Sequence, residues 1–249
     1  TLWGCGHNYD YQLGLGDKTN RTTFTIIGIN TNDIKSVYCG DEHTIILKND
    51  GTLWGCGNNQ YGKLGLGQDA TDKTMFTQIT TNTDNIKSVY CSYNHTFILK
   101  NDGTLWGCGN NQYGQLGLGD TNNRTTFTQI TVNTNDIKSI YCGQNHTIIL
   151  KNDGTLWGCG QNGASQLGLE DMKNKTLFTL ITTNVDNIKS VYCGANHTFI
   201  LKNNGTLWGC GYNKYGRLGL GDNTDRHTFT QIITNTDNIK SVYSGIVMK

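Results

Sequence analysis

Ile137-Lys-Ser-Ile-Tyr-Cys142, Gly143-Gln-Asn145, His146-Thr-Ile-Ile-Leu-Lys151, Asn152-Asp-Gly154 and Thr155-Leu-Trp-Gly-Cys-Gly160 run on without a break, short β-branched and aromatic segments alternating with turn residues. Segments of this length and composition read as strands, and Asp-Gly supplies the dipeptide favoured in a tight hairpin. A helical reading fails because Gly, Asn and Asp punctuate the apolar segments every few residues. With Phe127-Thr-Gln-Ile130 and the turn-rich Asn133-Thr-Asn-Asp136 placed in front, the stretch predicts one sheet of four antiparallel strands: 127–130, 137–142, 146–151 and 155–160.

The pattern recurs along the chain. Thr-Leu-Trp-Gly-Cys-Gly begins at Thr1, Thr52, Thr104, Thr155 and Thr206, so the 249 residues consist of five near-copies. A repeated unit with the same apolar offsets buries its surfaces against its neighbours. In Ile86-Lys-Ser-Val-Tyr-Cys91, strict alternation sends Ile86 and Tyr90 to one face and Val89 and Cys91 to the other, so each sheet needs cover on both sides. The predicted fold is therefore all-β, a β-propeller of four-stranded antiparallel blades, with a single domain over 1–249 and units beginning at 1, 52, 104, 155 and 206. Thr1 to Gly6 is a lone strand at the start, while the last copy supplies Phe229-Thr-Gln-Ile232, Ile239 to Tyr243 and a short Ile246-Val-Met-Lys249. The N-terminal strand is expected to pair with the last copy and close the ring, leaving no unpaired edge. Because Thr1 is not an initiator methionine, the sequence is expected to be part of a longer product.

Composition narrows the function. A formal net charge of +1 carries no nucleic-acid footprint, and no apolar run approaches the roughly 18 residues of a membrane helix. A soluble protein is expected, without a signal peptide, placed in the cytoplasm or nucleus. Histidines recur at His43, His95, His146 and His197; cysteines recur at Cys5, Cys56, Cys108, Cys159 and Cys210 and at Cys39, Cys91, Cys142 and Cys193. One ligand per copy, with no Cys-x-x-Cys pair, predicts structural roles and no metal, and nine cysteines argue against a complete disulfide framework. The five tryptophans, all in the Trp-Gly position, are expected to pack in the core with each indole N–H bonded to a neighbouring strand. No nucleophile, carboxylate pair or phosphate-cradling loop stands out, so neither catalytic residues nor a cofactor are expected.

Strand direction sorts the loops into two edges. The segment before His-Thr and the segment after Trp-Gly-Cys-Gly emerge at the same edge, and copy-to-copy variation concentrates there. The expected partner-binding residues are His7, Tyr9, Asp10, Tyr11, Asp41, Glu42, Gln60, Tyr61, Tyr93, Gln112, Tyr113, Gln144, Tyr212, Lys214, Tyr215 and Arg217. Tyrosine with Asn or Gln on a rigid scaffold is contact chemistry suited to a protein partner.

Trp106-Gly-Cys-Gly-Asn-Asn-Gln-Tyr-Gly-Gln-Leu-Gly-Leu-Gly-Asp120, joined to Tyr141-Cys-Gly-Gln-Asn-His-Thr-Ile-Ile-Leu150 and Asn152-Asp-Gly154, resembles the regulator of chromosome condensation repeat. The resemblance covers essentially the whole chain and implies the propeller fold. It leaves function open between an exchange factor for the small GTPase Ran, a plant ultraviolet-B photoreceptor, and propeller modules of ubiquitin ligases and ciliary proteins. Exchange activity would require a wedge-like insertion, and none interrupts the even spacing. The expected function is a non-enzymatic protein-interaction scaffold; the alternative is a guanine nucleotide exchange factor for a Ran-like small GTPase. The absence of proline and the closeness of the copies make the chain similar to multi-copy repeat proteins of giant viruses or AT-rich protists.

Overall fold

The computed structural model describes residues 1–28, 33–233, 239, 241 and 242. They belong to two compact units, Thr1–Asn110 with Asn122–Ile130, and Asn111–Thr121 with Thr131–Lys249.

In the first unit, β1 (Trp3–Gly6) pairs with β2 (Arg21–Ile26) in a two-stranded sheet. A four-stranded antiparallel sheet follows, built from β3 (Ile34–Cys39), β4 (His43–Lys48), β5 (Leu53–Gly57) and β6 (Lys73–Ile79) in that order. A second contains β7 (Ile86–Cys91), β8 (His95–Lys100), β9 (Leu105–Gly109) and β10 (Arg124–Ile130). The second unit repeats this with β11 (Ile137–Cys142), β12 (His146–Lys151), β13 (Leu156–Gly160) and β14 (Lys175–Ile181). Its other sheet holds β15 (Ile188–Cys193), β16 (His197–Lys202), β17 (Leu207–Gly211) and β18 (Arg226–Ile232).

The blades are four-stranded and antiparallel as expected, but their boundaries shift by one strand. Phe127-Thr-Gln-Ile130 lies on β10 and pairs with β9, closing the sheet before it, whereas β11 opens a new sheet. The turn residues between Ile130 and Ile137 therefore cross between sheets. Sequence spacing could not distinguish a hairpin from a crossover there. By the same rule β1 is a third strand, and β2 is its partner. The strands expected to close the ring, 239–243 and 246–249, lie outside the described residues except for 239, 241 and 242.

Successive sheets within a unit stack face to face. Ile45, Leu47, Leu53, Leu64 and Ile79 meet Ile86, Val89, Ile98, Cys108 and Phe127 in one core in the first unit. The second unit matches it with Ile148, Leu150, Leu156, Leu167 and Ile181 against Ile188, Val191, Ile200, Cys210 and Phe229. This is the stacking of propeller blades. Ile86 and Val89 share a core, which strict alternation forbids. A bulge between Ile86 and Ser88, opposite Lys100 and Leu99, resets the phase and leaves Lys87 exposed.

The glycines of the Leu-Gly-Leu-Gly run make this stacking close. Gly65 has φ +72°, and a Cβ there would fall 2.7 Å from the ring of Phe127, which is completely buried. A phenylalanine so placed contributes roughly 2–3 kcal/mol from burial alone. The tryptophans differ from expectation. Trp54, Trp106, Trp157 and Trp208 are half-buried, and each indole N–H donates to the Thr hydroxyl two residues earlier, at 2.9–3.0 Å. A lysine ammonium covers each ring at 4.3–4.5 Å, as Lys48 does Trp54.

Candidate functional site at the variable loop edge

The two variable segments of each copy are joined by the last rung of their ladder. Asn58 N donates to Glu42 O, Asn110 N to Asn94 O, Gln161 N to Asn145 O and Tyr212 N to Asn196 O, all at 2.8–2.9 Å. Both segments thus share one edge, as strand direction required.

A buried asparagine then shapes each loop after Trp-Gly-Cys-Gly. Asn59 Nδ2 donates to Asp69 O at 2.6 Å while its Oδ1 accepts from Leu64 N at 3.0 Å. Asn8, Asn111, Asn162 and Asn213 make the same pair of bonds in their own loops. The loops are consequently rigid platforms, with variable side chains outside and invariant amides inside.

Each loop is also tied to the blade beside it through one carbonyl. Lys63 O accepts from Thr96 Oγ1 at 2.8 Å and from the Cys108 thiol at 3.4 Å. Gln12 O, Gln115 O and Gln166 O receive the equivalent Thr and Cys donors. Because Thr96 gives its proton to Lys63 O, it accepts from His43 Nε2, 2.8 Å away. His43 is therefore the Nε2–H tautomer, and its buried Nδ1 finds no partner. Burial, aided by the charge of Lys63, holds His43 neutral with a pKa near 3; His146, bonded to Thr198 at 3.0 Å, is held at about 3 by burial. Burial likewise pushes the thiols of Cys108, Cys159 and Cys210 far above the usual range. These recurring groups are structural, and among the described residues no three His, Cys, Asp or Glu side chains gather as a metal site.

The first unit's edge carries acid. His7 stacks edge-on against exposed Tyr9 and lies 2.9 Å from Gln12 Nε2. Asp10 gives its amide to Gln12 Oε1. Asp41 is exposed, and partial desolvation beside Glu42 raises its carboxyl pKa. Glu42 accepts from Lys63 Nζ and from the Tyr93 hydroxyl, both at 3.1 Å. Burial, then Glu42, raises the Tyr93 phenol to about 12. Tyr11 occupies a position filled by Gly62 and Gly114 in the next copies and adopts φ +61°, with Lys18 over its ring at 4.8 Å. Gln60 is exposed and Tyr61 half-buried, the latter at φ +66°.

The second unit's edge carries cations. Gln112 is exposed; Tyr113, half-buried, gives its amide to Gln115 Oε1, and Gln144 is half-buried. Tyr212, Lys214, Tyr215 and Arg217 form one cluster, the guanidinium lying 5.1 Å from the Tyr212 ring and 6.0 Å from Tyr215.

Lys63 escaped the sequence reading. Its side chain is wholly buried, donating to Glu42 and to Tyr93 O, and desolvation lowers its pKa against the pull of Glu42. The signal was present: Lys63 stands where Gln12, Gln115 and Gln166 stand in other copies. The opposite edge spends its polar groups internally, as in Asp50 with Thr52, Asn82 with Phe127 O, and Lys100 with Asp84.

The family model of the RCC1-like domain matches residues 1–247. The chain belongs to that family. It is 35% identical over 234 residues to the ultraviolet-B receptor UVR8 of Arabidopsis thaliana, covering 92% of this chain and 52% of the receptor. It is 39% identical over 138 residues to the X-linked retinitis pigmentosa GTPase regulator of Mus musculus, covering 55% of this chain and 14% of the regulator. Prp20p of Saccharomyces cerevisiae superposes with a TM-score of 0.84 at 24% identity, over 98% of this chain and 62% of Prp20p. The propeller fold is thereby shown. The RCC1-like chain spans about half of UVR8 and a much smaller part of the regulator. No helix among the described residues is long and apolar enough to cross a membrane.

Proposed function

We propose that this RCC1-like chain is a non-enzymatic scaffold that binds a protein partner through the variable loop edge. The observation that carries the reading is the contrast within each loop: buried asparagines repeat unchanged while the side chains they present change between copies, His7 to Tyr11, Gln161 to Ser165 and Tyr212 to Tyr215 each departing from the Asn-Asn-Gln-Tyr shared by 58–61 and 110–113. Rigid loops with exposed tyrosine, amide and charged groups offer contact area at low ordering cost. The structure of Kap60 bound to yeast RCC1 supports a protein partner, since that relative, 25% identical, is itself seen in a protein complex.

Guanine nucleotide exchange on a Ran-like small GTPase is the alternative. The loops 7–20, 58–72, 110–123, 161–174 and 212–225 are near-equal in length, so none carries an inserted segment of the kind a wedge needs. The deciding experiment follows release of a fluorescent guanine nucleotide from Ran and related GTPases, together with capture of their nucleotide-free forms. No acceleration and no preference for the nucleotide-free form is expected of a scaffold; catalytic acceleration would replace this reading by exchange.

A further inference from the structure

Arg217 and Lys63 occupy equivalent places in the repeat, yet their fates are opposite. Lys63 is buried and neutralised by Glu42. Arg217 and its neighbour Lys214 are exposed, and neither has an ion-pair partner among the described residues. The nearest carboxylates in sequence are already engaged: Asp222 with Arg226 at 2.6 Å, and Asp225 with the amide of Asn213 at 2.7 Å. Lys63 draws Glu42 from the loop between β3 and β4 of its own sheet, whereas the equivalent position in the sheet that carries Arg217 is the uncharged Asn196.

Tyr212 and Tyr215 flank the guanidinium, and Lys214 Nζ lies 5.3 Å from the Tyr215 ring. Aromatic faces steady a guanidinium through its π surface and leave its in-plane N–H donors available for a bidentate acceptor. Tyr215 is 67% exposed and offers an apolar face beside the two cations.

We propose that this cluster docks an acidic segment of the partner protein, one carboxylate bidentate on Arg217, a second near Lys214 and an apolar side chain against Tyr215. The inference rests on the proposed scaffold function and names the partner's chemistry at one end of the edge. Charge complementarity selects the occupant: two unpaired cations on aromatic supports fit clustered Asp or Glu.

The test uses the full chain and a fluorescein-labelled peptide alternating Glu with Phe, beside a twin in which every Glu is Gln. Anisotropy is expected to show binding of the Glu peptide, weakening with salt, and none of the Gln twin. Arg217→Gln installs the residue that Gln12, Gln115 and Gln166 place in other copies, so folding is expected to survive. It is expected to weaken Glu-peptide binding about tenfold or more. Equal binding by the variant or equal binding of the Gln twin overturns the inference. Partner capture that survives Arg217→Gln but fails when Tyr61 and Tyr113 are changed sinks this inference alone; capture indifferent to all three sinks the edge reading itself.

Discussion

Nε2 of His43 lies 2.8 Å from Oγ1 of Thr96, linking β4 of one blade to β8 of the next. The same hydroxyl bonds Lys63 O, so one threonine joins a strand, its neighbouring blade and the base of a variable loop. Thr96→Val keeps the shape but strands the His43 N–H and leaves Lys63 O with only the weak Cys108 thiol donor. Its expected cost is about 1–3 kcal/mol, read from urea unfolding, with Thr96→Ser recovering most of it.

Acid should weaken the fold through the histidines. His43 and His146 titrate near 3 and His197 near 4 in the folded chain, all depressed chiefly by burial, against about 6.5 when unfolded. The unfolded chain therefore takes up protons first. Stability is greatest above about pH 6.5 and falls as pH drops toward the folded values. Between about pH 6 and about pH 5 each histidine is expected to contribute a slope approaching 1.4 kcal/mol per pH unit. Denaturant titrations should show His43→Gln removing one share of that slope.

Ser92 stands where Gly40, Gly143 and Gly194 stand in other copies. Its hydroxyl lies 2.6 Å from Nδ1 of His95, the acceptor that His43 leaves without a partner. Ser92→Gly is expected to lower stability by about 1 kcal/mol, with a matching fall in the urea midpoint.

Glu42 and Lys63 should be removable together but not singly. Glu42→Asn leaves the Lys63 ammonium buried without its carboxylate, for an expected loss of about 3 kcal/mol. Glu42→Asn with Lys63→Gln restores the residues other copies carry, Asn94 and Gln115 for example, and is expected to return the unfolding midpoint close to wild type.

Repetition made the blades legible, because identical apolar offsets demanded identical neighbours. The sheet boundary was not legible: Asn133-Thr-Asn-Asp136 has turn chemistry suited equally to a hairpin and to the crossover it forms. Nor was the bulge at Ile86, since register depends on the partner strand. At the edge, variation exposed Tyr215 and Arg217, whereas the burial of Lys63 was not legible because it depends on Glu42 from a distant loop of its own sheet and on Tyr93 from the next sheet.

The most direct measurement is affinity capture of the partner by wild-type chain and by the variant combining Tyr61→Asn, Tyr113→Asn and Tyr215→Asn. Asparagine tolerates the positive φ of Tyr61 and Tyr215, so the unfolding midpoint is expected to hold. Capture lost at an unchanged midpoint is the expected result. Undiminished capture by the folded variant would contradict partner binding through the variable edge.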